Sequence, residues 1–273
     1  MATSRVVQSG TTASTNLGMG FGGFGSSGLI LGGVLGQGIA TAILAKMVWR
    51  EDRYRLKEVK RLKVFALSRR YKKLPIFNLP NALIDTFRLS GISILIAKFF
   101  TTATLGQFAL AWKMVQIPMS LIGSSISQVF FQKVASSKKS DLNLIVKKFI
   151  IQASIVSLPI FLIIYFFSVD IFVLVFGQDW RLAGESASIM SPWLFLNFLT
   201  APLANIFIVL NKQEIVLMIS IFYMLIPISI LLVLNKFGFI YILTLITYSM
   251  SLILMLYIGL VFIYIKKEEN NAL

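Results

Sequence analysis

Asp85 and Arg88 stand three residues apart in NLPNALIDTFRLSG, residues 78–91, inside an otherwise apolar segment of membrane length. At roughly 100° per residue, Asn78, Asn81, Asp85 and Arg88 fall within about 80° of one another on a helix. Ile76, Leu83, Ile84 and Phe87 lie off that arc, where they can meet lipid or neighbouring helices. A charge near the middle of a span costs on the order of 2.5–3.5 kcal/mol, so such groups turn toward a bundle interior or a watery cavity. An i,i+3 pair also partly neutralises itself, and a second reading is that the two charges only lock helix packing. The next apolar segment repeats the pattern: Lys113, Gln116, Ser120, Ser124 and Ser127 share an arc. Lys113 either lines a cavity or snorkels outward, and Lys98, near the end of its span, is read as snorkelling. In SPWLFLNFLTAPLANIFIVL, Asn197 and Thr200 share a face; Pro192 and Pro202 can kink the helix and free carbonyls toward a cavity. Amides in membrane helices also serve simply as interhelical glue, which is the alternative for Asn197. Basic groups in a shared cavity suit an anionic ligand, with phosphate the natural candidate.

The elements that position these residues follow from composition. The chain is 57% hydrophobic and 14% charged, with mean hydropathy +0.82. Soluble domains run at about 45–50% apolar and about 25% charged, so this is a membrane protein by composition. Apolar runs predict seven spans, roughly 28–48, 76–99, 105–131, 149–167, 187–210, 214–234 and 240–265. The stretch 6–24, rich in Gly, Ser and Thr, is either an eighth span packed closely through its small residues or a flexible leader. The fold class is therefore all-α, a polytopic membrane bundle of seven or eight helices.

Net charge is +15, with 26 Lys and Arg. Twelve of them fall in 46–73 and five in 133–148, both loops between apolar segments. No basic stripe interleaves with stacking aromatics, so nucleic acid is excluded as a partner. Alternating the spans puts twenty Lys and Arg on one side and only Arg181 and Lys236 in the loops of the other, which predicts the basic side and the C-terminus as cytoplasmic. The outer side then carries its longest loop at about 168–186. The segment 50–73 reads as either an amphipathic interfacial helix with Leu56, Val59, Leu62 and Leu67 on its stripe, or a solvated linker. It separates residues 1–49 from a six-helix unit over 74–266, followed by a tail, 267–273.

With no Cys and no His, thiolate and imidazole chemistry and His/Cys metal sites are excluded. No secretory signal and no Walker sequence is present, and GFGGFGSSG lacks the spacing of a phosphate loop.

Three runs carry a family resemblance: RRYKKLPIFNLPNALIDTF, LGQFALAWKMVQIPMSLIGSSISQVFFQKVAS and FGQDWRLAGESASIMSPW. In order and spacing they resemble the polysaccharide transporter group of the multidrug/oligosaccharidyl-lipid/polysaccharide flippases, the O-antigen and exopolysaccharide flippases. The resemblance implies two six-helix lobes around a central cavity, of which this chain would correspond to the last two helices of the first lobe and all of the second, with about four helices absent. It implies transport of an isoprenoid-diphosphate-linked oligosaccharide across a bacterial inner membrane by alternating access, with no covalent chemistry and no cofactor. The implied partners are the lipid-linked oligosaccharide, membrane lipids and other polysaccharide-assembly membrane proteins. Arg88 and Lys113 would contact the diphosphate or sugar acids, and Asp85 would orient Arg88 or act as an ion-sensitive switch. Asn78, Asn81, Gln116 and Asn197 would hydrogen-bond sugar hydroxyls. The alternatives are a drug or cation extruder of the same superfamily, a membrane-embedded polymerase or glycosyltransferase, and an inert fragment.

Overall fold

The computed structural model describes residues 2–23, 25–51, 61–70 and 72–270, among which all regular structure is helical. The chain forms two compact units, residues 1–71 and 72–273.

The first unit holds α1 (Ala2–Phe21), α2 (Gly25–Glu51) and α3 (Arg61–Arg70). The glycine-rich stretch is thus helical, and its packing shows why α2 is also rich in glycine. Gly28, Gly32, Gly36 and Ala40, spaced by four, form a buried ridge on α2. A methyl group at Gly28 would lie 2.8 Å from Met19 Cβ; at Gly32 it would collide with Asn16 Oδ1, and at Gly36 with Thr12 Oγ1 while standing 3.1 Å from the Gln8 carbonyl. Backbones this close leave no room for side chains, the usual basis of small-residue packing between membrane helices. Thr11 and Ser14 donate to the carbonyls of Val7 and Gly10, both at 2.8 Å, so α1 satisfies these hydroxyls internally. Gln8 Nε2 donates to Gln37 Oε1 across the pair at 2.6 Å. Gly36→Leu is therefore expected to separate the two helices. Because the chain has no native cysteine, a Gln8→Cys/Gln37→Cys pair offers a clean readout. A short bis-maleimide should crosslink it well in the parent and severalfold less with Gly36→Leu; equal yields would refute the packing.

The connector expected to be amphipathic falls largely outside the described residues, Leu56 and Val59 included. Within α3, Val64, Phe65 and Leu67 are exposed.

The second unit contains α4 (Lys73–Phe99), α5 (Thr102–Ser136), α6 (Leu142–Phe176), α7 (Arg181–Thr200), α8 (Ala204–Val209), α9 (Gln213–Val233) and α10 (Phe239–Asn270). Helix α7 is central: it packs against α5, α6 and α10, while α4 lies mainly on α9. The burial pattern follows, with Ala183, Ala187, Met190 and Leu194 of α7 fully enclosed.

Against the expected seven or eight spans, five helical stretches among the described residues are long and apolar enough to cross a membrane: Ile30–Met47, Lys139–Phe176, Gln178–Val209, Gln213–Val233 and Phe239–Asn270. Helices α4 and α5, at 27 and 35 residues, have the length.

One expected boundary is corrected. Residues 168–186 do not form a long outer loop, because α6 continues to Phe176 and α7 begins at Arg181. Gly177 makes the turn at φ 96°, a left-handed conformation that glycine adopts without strain. The cause of the longer helices is close contact between them. Ser168 Oγ donates to the Gly184 carbonyl (2.8 Å), Ser188 Oγ to that of Tyr165 (2.6 Å) and Ser191 Oγ to that of Phe161 (2.7 Å). Three hydroxyl bridges and a glycine at the crossing pull the helices together right up to the turn. Gln107 of α5 fastens the same end: its amide nitrogen donates to the Asp179 carbonyl, and its oxygen accepts from Ala183 N at 2.9 Å. That supplies an acceptor to one of the orphan amides at the start of α7.

The expected kink arises at only one of the two prolines. Helix α7 runs unbroken through Pro192, and the break falls at the 3-10 turn Ala201–Leu203 around Pro202. At the opposite end of the bundle, Lys139 Nζ meets Glu268 Oε2 at 2.7 Å, tying the α5–α6 connection to the end of α10.

Candidate functional site

Helix α4 passes through Pro80 without interruption and carries the charged pair. Asn78 is exposed, while Asn81 is half-buried with its Oδ1 enclosed and unpartnered. The Asp85 side chain is 48% exposed, whereas Arg88 as a residue is 8% exposed. Arg88 Nη2 stands 3.4 Å from Asp85 Oδ1, longer than the roughly 2.7–2.9 Å of a strong charge-assisted bond. Its other nitrogens, Nε and Nη1, are buried without a partner. Five donors on a planar fork, most of them unused, form a site suited to a phosphate or carboxylate.

What holds the guanidinium in place is an aromatic ring from a distant part of the chain. Arg88 Cζ lies 4.7 Å from the ring centroid of Tyr223 on α9, within cation–π range. Trp193 of α7 donates its indole N–H to the Tyr223 hydroxyl. From Trp193 the aromatic contacts continue to Trp112 (centroids 5.5 Å apart), to Phe108 (6.3 Å) and to Phe239 (6.3 Å).

Beside this run lies a cleft of about 420 Å³, bounded by α4, α5, α7, α9 and α10. Ser90 and Ser93 supply its hydroxyls, Trp112 and Trp193 its aromatic faces, and the rest is aliphatic or phenyl. A cleft of this size with few polar groups and flat apolar walls fits part of an amphipathic ligand.

The structure brings Asp85 and Arg88 together, with Asn81 on the same helix face. Lys113 and Gln116 are exposed on α5 and do not line the cleft, although their neighbour Trp112 does. Asn197 is half-buried on α7, outside the cleft lining, with its carbonyl bonded by Thr200 Oγ1 at 3.3 Å. Ser127, from the α5 polar face, instead accepts a 3.4 Å bond from Asn205 of α8. The side chain of Lys98 is exposed, with Nζ 5.6 Å from the Phe99 ring centroid. Sequence reasoning missed Tyr223, Trp193 and Trp112. Trp112 sits next to Lys113, singled out for its charge, and Trp193 next to Pro192, singled out as a kink, which are usable hints. Tyr223 lies in an apolar run and gives no signal.

Comparison with known proteins bears on residues 1–184, which match the model of a family described as polysaccharide biosynthesis protein. The matched part takes in Asn78, Asn81, Asp85, Arg88, Lys113 and Gln116, while Trp193, Asn197 and Tyr223 lie beyond it. Curated proteins and solved structures yield no significant match. Since the family match spans more than half of the chain, from α1 through α6, the protein belongs to the polysaccharide biosynthesis protein family.

Proposed function

We propose that this member of a polysaccharide biosynthesis family is a flippase, moving isoprenoid-diphosphate-linked oligosaccharide across the bacterial inner membrane without altering it. The observation that carries the reading is the buried Arg88 guanidinium with two unpartnered nitrogens; Arg88 is outside the lining of the aromatic cleft, which begins at the next residue of α4, Leu89. Such a group in an apolar bundle is expensive, so it points to an anionic ligand. In this reading the diphosphate meets Arg88, steered by Asp85 and backed by Tyr223. Asn78 and Asn81 hydrogen-bond sugar hydroxyls, and Trp112 and Trp193 offer apolar faces to sugar rings. Lys113, Gln116 and Asn197 contact the same substrate from outside the cleft. The basic loops and the C-terminus face the cytoplasm, and other polysaccharide-assembly membrane proteins supply and receive the substrate.

The test is reconstitution. Purified protein in proteoliposomes should move a fluorescent lipid-linked oligosaccharide between leaflets, leave its glycan length unchanged and ignore cationic dyes. Glycan lengthening would indicate a polymerase, dye movement a drug extruder, and no movement of either would refute transport by this chain.

A further inference from the structure

A second cavity lies between α5 and α6, near the connection bearing Lys138 and Lys139. It measures about 370 Å³ and shares no lining residue with the aromatic cleft. Its lining is graded along the helices. Lys133 and Lys148 stand toward the connection, Gln152 follows, and every other described lining residue is apolar, ending at Ile126 and Val156. The paired rings of Phe130 and Phe149, centroids 4.2 Å apart, are part of it. From Lys133 to Ile126 the groove runs for about 10 Å along α5, at about 1.5 Å per residue.

Both lysines are exposed, and among the described residues neither has an ion-pair partner. Asp141 is the one acid in residues 133–148, against five lysines. The groove therefore has a cationic mouth and an apolar depth. That matches the order of a phospholipid entering from its own leaflet, phosphate at the interface and chain inward.

We propose that the α5–α6 groove is a binding site for an anionic phospholipid of the surrounding membrane, with its phosphate between Lys133 and Lys148 and an acyl chain along Val129 and Val156. Charge complementarity selects the headgroup, and the apolar walls require a chain. A sugar-bearing lipid is disfavoured because, among the described residues of the lining, Gln152 is the only neutral polar side chain. The site stands independently of the flippase reading.

Native mass spectrometry of the full chain in neutral detergent, titrated with phosphatidylglycerol or phosphatidylcholine, tests it. Phosphatidylglycerol should bind preferentially. Each of Lys133→Gln and Lys148→Gln should weaken it roughly 5-fold, and both together roughly 30-fold, as expected for about 1 kcal/mol per basic residue near a membrane surface. Lys138→Gln/Lys147→Gln, which removes equal charge outside the groove, should change binding less than about 2-fold on the same reasoning. Val129→Trp, at a position 67% exposed, should obstruct the chain and weaken binding with both lysines intact. Equal loss in the two double variants would overturn the proposal, as would equal binding of the two lipids. Displacement by millimolar inorganic phosphate would show a headgroup-only site, and tighter binding of an isoprenyl phosphate would reassign the groove; either result also overturns it.

Discussion

Asp85→Asn/Arg88→Met is expected to leave the bundle as stable as the parent or more so, and to weaken transport sharply. The Arg88 guanidinium is buried with Nε and Nη1 unpartnered, and its contact with Asp85 is long at 3.4 Å. What it receives in return is mainly the face of Tyr223, 4.7 Å away, which contributes about 0.5–2 kcal/mol. Stripping a charge of its water costs several kcal/mol, and replacing buried ion pairs by packed apolar groups is often stabilising by about 1–4 kcal/mol. The double variant is therefore expected to gain about 1–3 kcal/mol in detergent unfolding. Transport of lipid-linked oligosaccharide should fall at least about 10-fold, because a charge-assisted bond to the diphosphate contributes about 1.5–3 kcal/mol. Arg88→Lys keeps the charge but loses the flat contact with Tyr223 and should be intermediate in transport. The competing view is that the pair only locks helix packing. That view predicts a double variant that unfolds early, and a large fall in the unfolding midpoint would sink the cavity role of Arg88.

Gly184→Ala should be among the most destabilising methyl groups one can add. A Cβ there would stand 2.6 Å from Val169 Cα and 2.9 Å from the Ser168 carbonyl. These are backbone atoms in the middle of a helix and cannot rotate away. The two helices must move apart, which stretches the 2.8 Å bond from Ser168 to the Gly184 carbonyl and strains those made by Ser188 and Ser191. Overpacking of this kind costs about 1–3 kcal/mol, and about 3 kcal/mol is expected because the neighbours cannot yield. Gly259→Ala on α10 is the control. A methyl there meets nothing within 4 Å, so better helix propensity should add up to about 1 kcal/mol. Similar unfolding midpoints for the two variants would show that the α6–α7 crossing is looser than described.

The legible part of this protein was the part carried by local pattern. The apolar runs located every long helix of the second unit, and the polar arc on α4 was readable because helical period places Asn81, Asp85 and Arg88 on one side whatever they face. The break at Pro202 was readable too, since a missing N–H interrupts a helix locally. Less was legible wherever two elements had to meet. Residues 168–186 look like a polar loop. They are helical at both ends because Ser168, Ser188 and Ser191 find carbonyls on the opposing helix. Lys113 and Gln116 share an arc as expected, yet the packing of α5 turns Trp112 to the cleft and leaves them outside.

By itself the sequence determined an all-helical, membrane-type chain, the clustering of its basic residues in 46–73 and 133–148, and the two charges embedded in α4. Those follow from composition and a fixed helical period, which act within a few residues. Only the tertiary structure decided that Arg88 would lie against Tyr223, 135 positions further on. It also decided that Gln107 would satisfy the start of α7, and that two lysines would share one apolar groove. Each is a meeting of side chains far apart in sequence, and in an apolar bundle such pairings depend on which backbones can approach closely, a property of shape rather than of periodicity.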